Sequence, residues 1–142
     1  MKVGQIMSTS VECVRPDDTL QEAAYVMKER NIGFLPVCDL DRFIGMLTDR
    51  DIVIRGVADG RDTRTTRVRA VMTPDAICCR EDDDVDEAAR LMQDRRVRRI
   101  VVLDSRGRLV GILSLGDLAT GSEDPHRVGE VLHAVSEPSV PL

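Results

Sequence analysis

The feature that most constrains this chain is that it says almost everything twice. GMLTDRDI, residues 45–52, returns as GILSLGDL at residues 111–118. Aligned with itself, the chain matches Met7 to Met72, Cys13 to Cys78, Glu22-Ala23-Ala24 to Glu87-Ala88-Ala89, Met27 to Met92 and Asp39 to Asp104. One residue inserted in the second turn then aligns Gly45, Leu47 and Asp51 with Gly111, Leu113 and Asp117. A unit of about 60 residues is marginal alone, because it hides too little of its surface. Two such copies are expected to pack face to face about a pseudo-twofold axis. The expected boundaries are residues 1–58 for the first repeat, a polar link over 59–67, residues 68–120 for the second repeat, and a tail over 121–142.

Each copy parses alike. A short run, VECV at 11–14 or AICC at 76–79, precedes an acidic turn and a helix-start signal, Thr19-x-x-Glu22 or the looser Asp84-x-x-Glu87. The apolar positions Leu20, Ala23, Ala24, Met27 and Val85, Ala88, Ala89, Met92 recur at i, i+3, i+4, i+7, which predicts one buried stripe per helix. FLPVC with FIGMLT, and RIVVL with LVGILS, read as hairpins, and DRDIVIRGVA and LGDLAT open a second helix in each copy. The order is β-α-β-β-α twice, an α/β (α+β) fold. Right-handed crossovers make the first two strands of each copy parallel and the third antiparallel. The tail predicts one more helix, about 126–135, ended by Pro138 and Pro141.

The composition narrows the function. With 42% apolar residues but no Trp, one Tyr and two Phe, the core must be aliphatic. No apolar run reaches the ~20 residues of a bilayer span, and no signal-peptide pattern opens the chain, so a cytoplasmic protein without membrane contact is expected. A net charge of −5 argues against nucleic acid as a partner, and the arginines of DRRVRR, 94–99, read as a solvated face. The four cysteines fit no zinc or redox CxxC spacing, so no metal is expected. His126 and His133 read as surface or packing residues of the tail helix. No nucleophile-base set or glycine-rich phosphate loop is present, so catalysis is unsupported.

Thr48-x-x-Asp51 and Ser114-x-x-Asp117 each sit where a strand turns into a helix. Both fit capping boxes. They also fit a site in which first-turn amides bind an anion while the carboxylate accepts hydrogen bonds from sugar hydroxyls. The two readings are compatible.

The doubled marks IM and VM, TLQEAAYVM, IGFLPVCD, VRRIVVLD and G-x-x-[TS]-x-x-D resemble those of the tandem cystathionine-β-synthase-domain pair, or Bateman module, of the stand-alone bacterial type. The likeness covers about residues 3–120. It implies a regulatory binding module, not an enzyme, that senses an adenosine-containing ligand (AMP, ADP, ATP or S-adenosylmethionine) in the cleft between repeats. It implies that Asp51 and Asp117 hold ribose hydroxyls, that Thr48 and Ser114 assist, and that Gly33, Phe34 and Pro36, with Arg98, Arg99 and Ile100, flank the base. It also implies a homodimer joined through helices. Val101 stands where Pro36 stands in the first copy, and Leu115-Gly116 where the first copy has Asp49-Arg50, so the two sites are not equivalent. Arg50 and Arg55 suit phosphates, which favours the Asp51 site. The chain begins at Met1 without a further domain, so the effector is expected to be a separate protein.

Two other readings remain at this point. The chain also reads as a ligand-free stress or interaction protein of the same fold. A further reading is a redox-responsive module in which Cys13 and Cys38, at the ends of neighbouring parallel strands, approach disulfide distance.

Overall fold

The computed structural model describes residues 1–74 and 76–138, so Pro141 lies outside the described residues. The chain forms two compact units, Glu12–Ala76 and, together, Met1–Val11 with Ile77–Leu142. The duplicated sequence and the compact units are thus cut at different points. The first eleven residues belong with the second unit, and the residues just after the polar link belong with the first.

In the first unit, α1 (Leu20–Arg30) precedes the hairpin β1 (Phe34–Asp39) and β2 (Arg42–Thr48), the short α2 (Asp49–Asp51) and β3 (Thr73–Pro74). The sheet order is β1-β2-β3, all antiparallel. Thr19 Oγ1 caps α1 by accepting from the Glu22 N–H at 3.1 Å. Asn31, at φ 53, ends it in the left-handed conformation that asparagine tolerates. Residues 52–57 continue α2 as a π-helix, with Ala58 N–H bonded to the Val53 carbonyl at 2.8 Å.

The expected strand at 11–14 does not form. Val11 closes a tight turn onto the Thr9 carbonyl, and Pro16 follows closely; only Val14 reaches the sheet, as a parallel bridge to Val37. Residues 59–67 are mostly exposed, yet they are pinned: the Leu20 and Gln21 N–H groups donate to the Thr66 and Thr63 carbonyls, both at 3.0 Å. Two orphan amides of the α1 start are satisfied this way.

In the second unit, β4 (Cys78–Arg80) runs parallel to β5 (Arg99–Leu103), which pairs antiparallel with β6 (Leu109–Ser114). α3 (Val85–Arg95) and α4 (Leu115–Gly121) complete the repeat, and α5 (Pro125–Ser136) packs on both. The looser box at the start of α3 is a simple cap in which Asp84 accepts from the Asp86 N–H at 2.8 Å.

The units differ where α5 lies. Ala89 and Val131 are fully buried in the second unit, whereas Ala24, the repeat counterpart of Ala89, is exposed, because the first unit has no helix equivalent to α5. Val85, Ala88, Met92, Ile100, Val102, Leu113 and Leu118 fill one core, and Leu20, Leu35, Val37, Leu47, Val68 and Val71 the other. Both hairpins slip register at matching points, Val37/Cys38 and Val102/Leu103, which is a shared bulge. The fold is mixed α+β, with two three-stranded sheets and five helices among the described residues.

Candidate functional site

The two strand-to-helix turns form the same device in each unit. Thr48 and Ser114 hold nearly identical extended backbones, φ −114, ψ 161 and φ −108, ψ 163. Thr48 Oγ1 accepts from the Asp51 N–H at 3.1 Å while the Thr48 N–H donates to Asp51 Oδ2 at 2.9 Å. Ser114 Oγ accepts from the Asp117 N–H at 3.0 Å while the Ser114 N–H donates to Asp117 Oδ2 at 2.9 Å. Each carboxylate is therefore fixed by one oxygen and presents the other.

Register places the other expected residues beside these boxes. Phe34 lies opposite Thr48 and Arg99 opposite Ser114 in the two hairpins. The Gly33 carbonyl accepts from the Asp49 N–H and the Arg98 carbonyl from the Leu115 N–H, each at 2.9 Å. A side chain at position 33 would press on Asp49, since a Cβ there would lie 2.9 Å from its Oδ2. Pro36 is buried, with its carbonyl accepting from the Val14 N–H at 3.0 Å. Ile100, 1% exposed, belongs to the core, which leaves only its backbone for a ligand.

The presented oxygens meet different partners. Asp51, its side chain 16% exposed, pairs through Oδ1 with Arg55 one helical turn on, and Arg55 also donates to Thr73 Oγ1 at 2.9 Å. Arg55 is thus committed to the carboxylate, while Arg50 is exposed. Asp117 receives instead the Ser8 hydroxyl, at 3.2 Å to Oδ1 and 3.4 Å to Oδ2.

Ser8 and Thr73 are functional candidates that sequence reasoning missed. They are counterparts in the repeat, each following Met in IM-S and VM-T. Thr73 pairs with Met46, and Ser8 with Ile112 through two backbone bonds of 2.9 Å. Each edge segment serves the hairpin of the other sequence repeat.

The expected anion site in the first α2 turn is corrected by its hydrogen bonds. All three amides there are occupied: Asp49 by the Gly33 carbonyl, Arg50 by Asp49 Oδ1 at 2.8 Å, and Asp51 by Thr48. What the device offers is a carboxylate acceptor beside a hydroxyl. A cis-diol fits that chemistry, because it donates two hydrogen bonds where the carboxylate has lone pairs left.

Against this geometry, the family model described as CBS domain matches residues 3–56 and 68–123. The chain belongs to the CBS-domain family. This CBS pair is 38% identical over 138 residues to the CBS domain-containing protein YhcV of Bacillus subtilis, with 97% of each chain covered. It is also similar to a crystal structure of Hypoxic Response Protein I with two coordinated zinc ions, at TM-score 0.77 and 38% identity, covering 85% of this chain and 98% of that one. A third likeness is the crystal structure of CBSX2 in complex with AMP, at TM-score 0.71 and 27% identity, covering 83% and 93%.

Other features of this CBS pair lie apart from the boxes. A cavity of about 530 Å³ beside α5 is lined by Gln93, His126, Gly129, Glu130 and His133 among others, and holds none of the expected site residues. Its histidines are surface groups, paired with Glu130 at 3.0 Å and Glu137 at 3.2 Å. Among the described residues no cluster of three or more His, Cys, Asp or Glu is placed to hold a metal, and no helix is long and apolar enough to cross a membrane.

Proposed function

We propose that this CBS pair is a regulatory module that binds an adenosine-containing ligand through the carboxylates of Asp117 and Asp51. The supporting observation is the repeated capping box, which fixes one oxygen of each Asp and leaves the other to a second hydroxyl or a guanidinium. The likeness to an AMP complex of CBSX2 supports the ligand class. Ribose hydroxyls bond the carboxylate, Ser114 or Thr48 fixes it, and the residues opposite, Arg98 and Arg99 or Gly33 and Phe34, flank the rest of the ligand.

The pairings reverse the preference for the Asp51 site. A ribose at Asp51 competes with a cationic Arg55, whereas at Asp117 it displaces only long bonds from an uncharged donor, the Ser8 hydroxyl, so the ion pair at Asp51 is the stronger competitor. Asp117 is the first site to fill. Two copies are proposed to associate through helices, a reading supported by exposed Tyr25, Val53, Ile54 and Val57 on α1 and the π-helix. The effector is proposed to be a separate protein that reads the liganded state.

Calorimetric titration of the protein, kept reduced, with AMP, ADP, ATP and S-adenosylmethionine tests this reading. Saturable binding of at least one, weakened tenfold or more in Asp117→Ala, is the expected result. No heat with any of the four overturns it and favours the ligand-free interaction protein.

A further inference from the structure

Cys13 and Cys38 bring their sulfurs to 3.5 Å, with the Cys38 thiol donating to Cys13 Sγ. The frame holding them is backbone: Val14 bridges Val37, its N–H bonded to the Pro36 carbonyl at 3.0 Å and its carbonyl to the Cys38 N–H at 2.9 Å. The remaining gap to a bond of about 2.05 Å is a small side-chain movement. All four cysteines are free thiols, and only Cys79 is buried as an aliphatic residue would be.

Cys13 is exposed and Cys38 half-buried, which separates an accessible sulfur from a sheltered one. We propose that Cys13 and Cys38 are a reversible thiol–disulfide site, with Cys13 the attacking sulfur, Cys38 the resolving one, and a low-molecular-weight disulfide the oxidant.

The Cys13 thiolate attacks one sulfur of the small disulfide, whose S–S bond breaks and releases one thiolate. Cys38 then loses its proton to that thiolate and attacks Cys13 Sγ, expelling the second small thiolate. Two protein thiols are oxidised and one small disulfide is reduced to two thiols. Charge favours this order. The hydrogen bond from Cys38 lowers the Cys13 pKa against the opposing effects of burial and Glu12, and the same bond raises that of Cys38. Once Cys13 is in the mixed disulfide its negative charge is gone, and with it the main hold on the Cys38 proton.

The repeat supplies an internal control. Cys78 is the counterpart of Cys13, but Leu103 stands where Cys38 would be. Cys79, its thiol pushed up to about 12 chiefly by burial, is protected from attack.

The protein as it exists, reduced and freed of reductant, is equilibrated with oxidised glutathione, blocked with iodoacetamide and read by intact mass and peptide mapping. The expected product is about 2 Da lighter before blocking, carries no label at Cys13 or Cys38, retains label at Cys78, and returns to the reduced mass with thiol reductant. Cys38→Ser is expected to stop at a stable glutathione adduct on Cys13, and Cys13→Ser to leave Cys38 unmodified under the same conditions. Full labelling of both residues in the wild type, or oxidation only between chains, overturns the proposal. The readout is thiols, so it fails or succeeds separately from ligand binding.

Discussion

Ser8 Oγ donates to Asp117 across a chain separation longer than a whole repeat, at 3.2 Å to one carboxylate oxygen and 3.4 Å to the other. Its counterpart Thr73 reaches the Asp51 carboxylate only through Arg55. The carboxylate thus meets an uncharged hydroxyl donor in one unit and a cationic guanidinium in the other, and the two half-sites diverge on that account.

Replacing Arg55 tests the divergence. In an Asp117→Ala background, Arg55→Met leaves Asp51 Oδ1 open to a neutral ribose, and adenosine binding is expected to tighten about tenfold, ~1.4 kcal/mol. Calorimetry with adenosine, which carries no phosphate, reads this. Weaker binding would make Arg55 part of the ligand's own contact set.

Two glycines keep the edge segments against the hairpins. A Cβ at Gly45 would lie 2.6 Å from the Thr73 carbonyl oxygen, and one at Gly111 would lie 2.6 Å from Met7 Sδ and 2.8 Å from the Ser8 carbonyl oxygen. Because backbone must move, Gly45→Ala and Gly111→Ala are each expected to cost about 1–3 kcal/mol in urea unfolding. Gly129→Ala, in α5 with nothing within 4 Å of its Cβ, is expected to gain about 0.5–1 kcal/mol. Equal effects at all three positions would contradict the packing.

The Ser114 cap is worth a separate measurement. Ser114→Ala removes the acceptor for the Asp117 N–H and is expected to lower stability by about 1 kcal/mol. If the box also orients the carboxylate, ligand affinity falls with it at temperatures where the variant is fully folded; an unchanged affinity would limit Ser114 to capping.

Asp104 gives the pH dependence a sign. Its carboxylate accepts from the Arg108 and Arg106 N–H groups at 2.9 and 2.8 Å and from Arg108 Nε at 2.9 Å, and these bonds, led by the Arg108 amide, hold its pKa below the usual carboxylate value. A depressed folded-state pKa contributes stability that is fully present above the unfolded value, about 3.9, and is lost as pH falls through the folded one. Asp104→Asn is therefore expected to show a smaller loss of urea midpoint between pH 6 and pH 3 than the wild type. An identical loss would remove Asp104 from the acid response.

Local signals carried far in this sequence. The boxes at Thr48 and Ser114, the stripe of α3 and both hairpins are short-range patterns, and they formed where spacing placed them. What spacing could not show is long-range. Ser8 and Thr73 reach their carboxylates because each edge segment joins the hairpin of the other repeat, a choice no periodicity records. Ala24 and Ala89 look alike in sequence and differ in burial because α5 covers one helix only. The charge of Arg55 suits a phosphate, but its i, i+4 neighbour Asp51 takes it instead, a pairing that spacing permits without requiring. The Cys13–Cys38 approach was legible, since a parallel crossover fixes which strands are neighbours; that Val14 alone would bridge was not.

The central claim is that the Oδ1 oxygens of the capping-box carboxylates, the ones the boxes do not hold, receive ribose hydroxyls. The most direct test compares AMP with its 2′,3′-dideoxy analogue on the wild type and on Asp117→Ala, by calorimetry. The expected result is that the wild type binds AMP at least tenfold more tightly than the analogue at its tighter site, and that Asp117→Ala loses this tighter site and keeps only the weaker AMP preference of Asp51. Equal affinity of the wild type for the two ligands would contradict the claim.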